Sequence, residues 1–125
     1  MQILLDTHVY LWWLAKSPRL GQEASEIIAT ADSVYISSAS IWEAAIKTTT
    51  GKLEADIDKL CKQIHGSGFV ELPVTMRHAA ASARLPLLHK DPFDRMLVAQ
   101  AQTEPLHLLT ADHKLAAYGS LIRLV

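Results

Sequence analysis

Four acidic residues stand where the sequence predicts the end of a strand or the start of a helix. Asp6 directly follows an apolar run near the N-terminus, and Asp112 follows another such run within two residues. Glu43 and Asp94 fall near the starts of two predicted helices. In an open α/β sheet these positions share the edge formed by the carboxyl ends of the strands. Carboxylates packed closely repel one another, and hard divalent cations such as Mg²⁺ or Mn²⁺ relieve that repulsion. The four acids therefore predict a metal-binding cluster.

A second interpretation is that each acid only begins a helix. The residue pairs that would do so are Asp6 with Thr7, Ser40 with Glu43 in an S-x-x-E capping box, Asp91 with Asp94, and Thr110 with Asp112. Capping does not explain why no compensating basic residues are expected beside Asp6, Glu43 and Asp112. Carboxylates that lie close together without such partners repel one another. Both interpretations stay open on the residues alone.

The stretch HKDPFDRMLVAQAQ fixes the position of one acid, Asp94, at the start of a predicted helix. Asp91 can cap the helix, Pro92 suits its first position, and Asp94 then lies in the first turn, where the helix dipole favours a negative charge. Apolar residues follow at helical spacing: Phe93, Met96, Leu97 and Ala101. An ionisable side chain is therefore held at the start of a mostly buried helix.

Strands and helices alternate along most of the chain. Short apolar runs predict strands over 2–5, 34–36, 69–72, 107–110 and 121–125. Helical patterns fall over 8–16, 20–31, 38–51, 57–65, 75–83, 92–102 and 111–118. The first strand does not alternate, which indicates burial on both faces. This order predicts a parallel sheet covered by helices on both sides.

Composition limits the possible classes of protein. A chain of 125 residues with 50% hydrophobic residues is long enough for one ordinary domain. No apolar run has the length of a membrane span, and the start MQILLD lacks the features of a signal peptide, so we expect a cytoplasmic protein. Cys61 is the only cysteine, which excludes an internal disulfide. A net charge of −1 argues against binding nucleic acid by bulk charge.

Four segments in this order resemble the PIN-domain nucleases, and most closely the VapC-type toxins of type II toxin–antitoxin pairs. The segments are ILLDTHVYLWWL, ISSASIWEAAIK, HKDPFDRMLVAQA and LLTADHKLAAYG. Each segment is weak evidence alone, but the ordered set is specific. The resemblance covers essentially the whole chain and implies a single PIN domain over 1–125. It implies a three-layer α/β/α fold with a central, mainly parallel sheet of about five strands.

The resemblance also implies a function. It implies an acidic pocket that binds Mg²⁺ or Mn²⁺ and cleaves RNA phosphodiester bonds, leaving 5′-phosphate and 3′-hydroxyl ends. Matched position by position, the catalytic and metal-binding residues are Asp6, Glu43, Asp94 and Asp112, with the hydroxyl of Thr110 beside the fourth acid. The implied partners are RNA, a second copy in a homodimer, and a VapB-like antitoxin whose C-terminal segment crosses the acidic groove.

Two other functions are compatible with the residues. One is a nuclease of the same fold that processes RNA without an antitoxin, and the other is a non-catalytic α/β binding module whose acids are helix caps. For the nuclease, we expect a basic rim built from Lys47, Lys90 and Arg95 to hold substrate. Lys47 also lies four residues after Glu43, at the spacing of a helical ion pair. Four further residues could serve either in packing or in contact with a substrate or partner: His8, Trp12, Trp13 and Trp42.

Overall fold

Five parallel strands form one sheet at the centre of the molecule. A computed structural model describes all 125 residues, Met1–Val125. The strands are β1 (Gln2–Leu5), β2 (Ser33–Ser37), β3 (Val70–Leu72), β4 (His107–Thr110) and β5 (Ile122–Leu124). Their order across the sheet is β3-β2-β1-β4-β5, and every neighbouring pair is parallel. The predicted sheet is confirmed in strand number and direction.

Helices cover both faces of this sheet. They are α1 (Thr7–Ala15), α2 (Gly21–Thr30), α3 (Ser38–Thr49), α4 (Ile57–Gly66), α5 (Met76–Ala83) and α6 (Pro92–Thr103). Two short 3₁₀ helices, Pro18–Leu20 and His113–Tyr118, complete the set. The last predicted helix is therefore a 3₁₀ helix. None of the helices combines the length and apolar character that crossing a bilayer requires.

Alternate residues of the inner strands point to opposite sides of the sheet, and buried apolar residues cover both sides. On one side, Ile3 and Leu5 join a core built with α1, α2 and α4. On the other side, Leu4 and Leu108 pack against the apolar face of α6. Burial of consecutive strand residues explains why the first run did not alternate. The fold is thus three-layered, α/β/α, as predicted.

Two of the expected helix starts differ from the structure. Ser37, at the end of β2, caps α3 by accepting the N–H of Ala39, so the predicted box of Ser40 with Glu43 is wrong. Thr7 does not cap α1 either, because it is the first helical residue. Its hydroxyl donates instead to Ser40 Oγ at 2.9 Å, where α1 and α3 begin side by side. Tertiary pairing of two buried hydroxyls replaces the two local caps.

Helix α1 is fixed on α4 by a single buried hydroxyl. Tyr10 is almost fully buried and donates to the carbonyl oxygen of Leu60 at 2.7 Å. Burial raises the pKa of Tyr10 to about 12, so the phenol stays protonated and keeps donating in any ordinary buffer. Because α1 begins directly after Asp6, this contact also supports the residue that leads into the site.

Substitution Tyr10→Phe removes this hydroxyl while keeping the ring. We expect the free energy of unfolding to fall by about 1 kcal/mol, because a buried acceptor loses its partner. Urea unfolding followed by circular dichroism measures the change. Tyr35→Phe is the control, since the hydroxyl of Tyr35 makes no hydrogen bond within the chain and its loss should change little. Equal effects of the two substitutions would contradict the role given to Tyr10.

Candidate active site

The order of strands reverses between β1 and β4, and ligands of open α/β sheets bind outside such a point. Asp6 leaves the end of β1 there, and Thr110 ends β4 beside it. The hydroxyl of Thr110 donates to Asp6 Oδ2 at 2.6 Å and accepts the backbone N–H of Asp112 at 3.0 Å. This one fully buried hydroxyl therefore connects the first and the fourth predicted acid.

Asp6 is a buried carboxylate that does not cap its helix. It occupies the cap position of α1, but its side chain makes no capping hydrogen bond. Burial raises the pKa of Asp6 above its ordinary value, the bond from Thr110 and the charge of His8 oppose this, and the charge of Glu43 adds to it. The capping interpretation therefore fails for this residue, whose environment is costly to a negative charge.

Glu43 reaches the site from the second turn of α3 and is 4% exposed. Its Oε2 is 2.9 Å from Lys47 Nζ, so the predicted helical ion pair is present. The expectation that Glu43 lacks a compensating base is therefore wrong. Its other oxygen, Oε1, is buried without any hydrogen-bond partner. A buried carboxylate oxygen with no donor is a free ligand position for a cation.

Asp94 stands in the first turn of α6, next to the residue that caps it. Asp91 Oδ1 accepts the N–H groups of Phe93 and Asp94, which confirms the predicted cap. The carboxylate of Asp94 is left free for the site. Burial, together with the charges of Asp6, Asp91 and Glu43, raises the pKa of Asp94 to about 7, although the charge of His89 opposes this rise. The effects of the Asp6 and Glu43 charges on this pKa indicate that the three carboxylates lie near one another.

Asp112 has both a capping and a site role. Its Oδ1 accepts the N–H of Lys114 at the start of the last 3₁₀ helix, and its Oδ2 lies 3.0 Å from His89 Nε2. Burial tends to raise the pKa of Asp112, but the hydrogen bonds from His89 and Lys114 outweigh it and lower the pKa. The expectation of an unpaired carboxylate is wrong here too, because His89 approaches from the loop before α6.

His89 is the site residue that the sequence analysis missed. Its Nε2 is 3.3 Å from Asp94 Oδ2 as well as 3.0 Å from Asp112 Oδ2. The ligand atoms of these three side chains lie within 4.8 Å of one another. Six histidines scattered along the chain gave no signal of ligand spacing. The available signal was the position of His89 two residues before the cap Asp91, which keeps it at the start of the same helix.

The predicted basic rim is largely committed to other contacts. Lys47 is bound to Glu43, as described above. The guanidinium of Arg95 donates to the backbone carbonyls of Ser82, Leu85 and Pro86 at 2.9, 3.3 and 3.0 Å, so it fastens the loop before α6. It pairs with no carboxylate. Of the three, only Lys90 is exposed and makes neither an ion pair nor a side-chain hydrogen bond.

An open apolar groove lies beside the acids. Trp42 and Phe93 precede Glu43 and Asp94 in sequence, and their rings meet edge to face at a centroid distance of 5.3 Å. Trp42 remains 63% exposed, and Leu87 is 74% exposed. The groove has a volume of about 850 Å³, and Lys90 lines it together with these apolar residues. Trp13, by contrast, packs on Phe69 within the core layer. Trp12 is partly buried against the same core. The centroid of its ring is 6.2 Å from that of His8, which is exposed.

The donor set suits a hard divalent cation. Asp6, Glu43 and Asp94 supply carboxylate oxygens from three different elements, and Asp112 adds a fourth. Mg²⁺ and Mn²⁺ prefer such oxygen ligands. The unpartnered Oε1 of Glu43 and the raised pKa of Asp94 both mark a place where a positive charge would be favoured. The residues present therefore fit the group that the sequence resemblance implied.

Fold and site together define a parallel α/β domain with an acidic pocket at its topological switch point. Residues 3–121 match the PIN domain family. Since the match covers nearly the whole chain, the chain belongs to the PIN domain family. The resemblance inferred from the four ordered segments is confirmed.

Individual relatives agree with this assignment. The chain is 29% identical over 123 residues to Ribonuclease VapC22 of Mycobacterium tuberculosis, covering 93% of this chain and 91% of that protein. The crystal structure of VapBC2 from Rickettsia felis bound to a promoter DNA fragment has a TM-score of 0.69 at 15% identity, over 94% of this chain and 93% of that chain. A toxin–antitoxin complex from Klebsiella pneumoniae has a TM-score of 0.63 at 18% identity, over 98% and 99%. The two structures support the fold.

The partly buried Asp94 carboxylate should make stability depend on pH. Its pKa is about 7 in the folded protein and near 3.8 when unfolded, so the folded state binds more protons between these values. The free energy of unfolding should therefore fall as the pH rises from about 4 to about 7, by on the order of 3 kcal/mol. Asp94→Asn should flatten this decline. Urea unfolding at a series of pH values with EDTA present tests it.

The matched control for this experiment is Asp58→Asn, which changes an exposed acid on α4. We expect it to keep the pH dependence of the wild type. An Asp94→Asn protein whose stability declines as steeply as that of the wild type would contradict the assigned cause.

Proposed function

We propose that this chain is a metal-dependent endoribonuclease and the toxin of a type II toxin–antitoxin pair. In this proposal, residues 1–125 act as a single PIN domain. The observation that carries the proposal is the approach of Asp6, Glu43 and Asp94 to one another at the switch point. Asp6 and Glu43 are buried, the pKa values of Asp6 and Asp94 are raised, and one oxygen of Glu43 has no hydrogen-bond partner. The relative Ribonuclease VapC22, matched over 93% of this chain, supports RNA as the substrate.

The catalytic and metal-binding residues in this proposal are the four acids. Asp6 and Asp94 would bind Mg²⁺ or Mn²⁺, Glu43 would add its free Oε1, and Asp112 would complete the set. A divalent cation held there lowers the pKa of water and polarises phosphate oxygens. Thr110 holds Asp6 in one orientation through its 2.6 Å hydrogen bond. The ion pair with Lys47 likewise keeps Glu43 turned toward the site.

Substrate binding would depend on few contacts of this chain. The net charge of −1 gives no general attraction for a polyanion. Lys90 is the basic residue of the predicted rim that is free to contact a phosphate. The exposed ring of Trp42 beside Glu43 offers a face on which a base can stack. We therefore expect selectivity for particular RNA sites rather than general affinity for nucleic acid.

The proposed protein partners are a VapB-like antitoxin and a second copy of the chain, in the cytoplasm. The structurally similar VapBC2 complex and the toxin–antitoxin complex from Klebsiella pneumoniae support an antitoxin partner. The groove beside the acids also supports a protein partner, because it exposes Trp42 and Leu87 together. Sedimentation of the chain alone, and with the product of an adjoining short reading frame, tests both partners.

Mn²⁺ should stabilise the purified protein. A cation that binds only the folded state raises the free energy of unfolding, by about 2.7 kcal/mol at a concentration 100 times its Kd. We expect the melting temperature to rise with Mn²⁺ for the wild type and for Asp58→Asn, and hardly at all for Asp94→Asn. Thermal unfolding with and without Mn²⁺ measures this. A folded, partner-free wild type that Mn²⁺ leaves unchanged would argue against a metal site.

Asp6→Asn and Asp94→Asn should each abolish most RNA cleavage. We expect kcat/KM to fall roughly a hundredfold or more, because each variant loses a charged oxygen for the cation and several kcal/mol of transition-state stabilisation. Total cellular RNA with mapping of the new ends, with Mn²⁺ and with EDTA, provides the assay. Asp58→Asn should cleave at the wild-type rate. Full metal-dependent activity of both site variants would overturn the assignment.

A further inference from the structure

Every polar group of His89 is used within the chain. Its backbone N–H donates to the hydroxyl of Tyr118 at 3.0 Å, and its carbonyl accepts from Arg95 Nη1 at 3.5 Å. The ring nitrogen Nδ1 accepts the backbone N–H of Asp91 at 3.1 Å. The other ring nitrogen, Nε2, faces Asp94 and Asp112. The backbone N–H, the carbonyl and both ring nitrogens of His89 are therefore all engaged, and its ring lies against two acids of the site.

These contacts fix the tautomer of the imidazole. An N–H group donates to Nδ1, so Nδ1 presents its lone pair and the ring proton is on Nε2. That proton then points at two carboxylate oxygens, 3.0 and 3.3 Å away. With its lone pair already engaged by Asp91 and its proton directed at the acids, the ring acts as a donor to carboxylates rather than as a metal ligand.

The loop before α6, which carries His89, is held by hydrogen bonds from the side chains of Arg95 and Tyr118. Arg95 fastens the carbonyls of Ser82, Leu85 and Pro86, and its Nη1 also lies 3.2 Å from the hydroxyl of Tyr118. That hydroxyl donates in turn to the carbonyl of Pro86 at 3.0 Å. The ring is only 13% exposed. The position of Nε2 is therefore set by α6 and the last 3₁₀ helix, and the side chain has little freedom to turn away.

We propose that His89 is a positioning residue that holds Asp94 and Asp112 side by side through its Nε2–H group, so that both carboxylates face one divalent cation. This inference rests on the proposed metal site. Two carboxylates this close repel each other, and one donor shared between their Oδ2 atoms offsets the repulsion. It leaves Oδ1 of Asp94 unoccupied, whereas Oδ1 of Asp112 also accepts the N–H of Lys114. Hydrogen bonds of this kind orient the residues that ligate metals.

Two substitutions separate this role from a role in the loop alone. Gln places an amide N–H group near the position of Nε2 and loses the acceptor for Asp91. Asn places an acceptor near the position of Nδ1 and loses the donor to the acids. The experiment measures the Mn²⁺ dissociation constant by calorimetry for wild type, His89→Gln, His89→Asn and His89→Ala. His65→Ala, which changes an exposed histidine on α4, is the control, and urea unfolding confirms that each variant is folded.

We expect His89→Ala and His89→Asn to bind Mn²⁺ about 10- to 100-fold more weakly, and His89→Gln to stay within about threefold of the wild type. His65→Ala should bind as the wild type does. Equal binding by wild type and His89→Ala would overturn the inference. So would rescue by Asn rather than Gln, because that order reports a role for the Asp91 contact alone.

A second measurement does not depend on the cation. Long-range ¹H–¹⁵N spectra of the metal-free wild type should show the His89 proton on Nε2, and a proton on Nδ1 would overturn the inference. If the wild type binds no Mn²⁺ at all, the proposed metal site fails, and the tautomer then decides the orientation of His89 by itself. The two proposals therefore fail by different results.

Discussion

Burying negative charge at the carboxyl edge of the sheet is the constraint on which this site depends. Asp6 leaves β1 in a place that desolvates it, and the charge of Glu43 adds to the cost. A single hydroxyl, Thr110, supplies the nearest compensation, since it donates to Asp6 at 2.6 Å. Charges placed in this way are unfavourable in the absence of a cation. The same placement would favour a bound cation in the proposed metal site.

The surrounding fold is built to withstand this repulsion. Asp6 and Thr110 end two adjacent strands of the central sheet, whose consecutive residues are buried on both faces. Asp94 is fixed by a helix with a complete cap and a buried apolar face. The guanidinium of Arg95 was expected to bind phosphate as part of a basic rim. It instead donates hydrogen bonds to backbone carbonyls before α6. Rigid elements therefore hold carboxylates that would otherwise move apart.

The surface beside the pocket has a different character from the pocket itself. The acids are buried or partly buried carboxylates, whereas Trp42, Phe93 and Leu87 line an apolar groove that opens next to them. Because Trp42 and Phe93 are the immediate sequence neighbours of Glu43 and Asp94, the same two helix starts build both features. A partner seated in the groove would thus lie within reach of the acids. This proximity physically links the proposed antitoxin to the proposed activity.

The sequence alone determined the parallel α/β order, the dry inner strands and the cap of α6, because these depend on local pattern and on residues close in the chain. It also singled out the four acids as candidates, since each follows a strand or lies near the start of a helix. Only the tertiary structure decided how those acids are partnered. Ser40 pairs with Thr7 instead of capping α3, and His89 meets Asp112 across 23 residues of chain. Such contacts depend on how separate elements pack, and no spacing in the sequence encodes that distance.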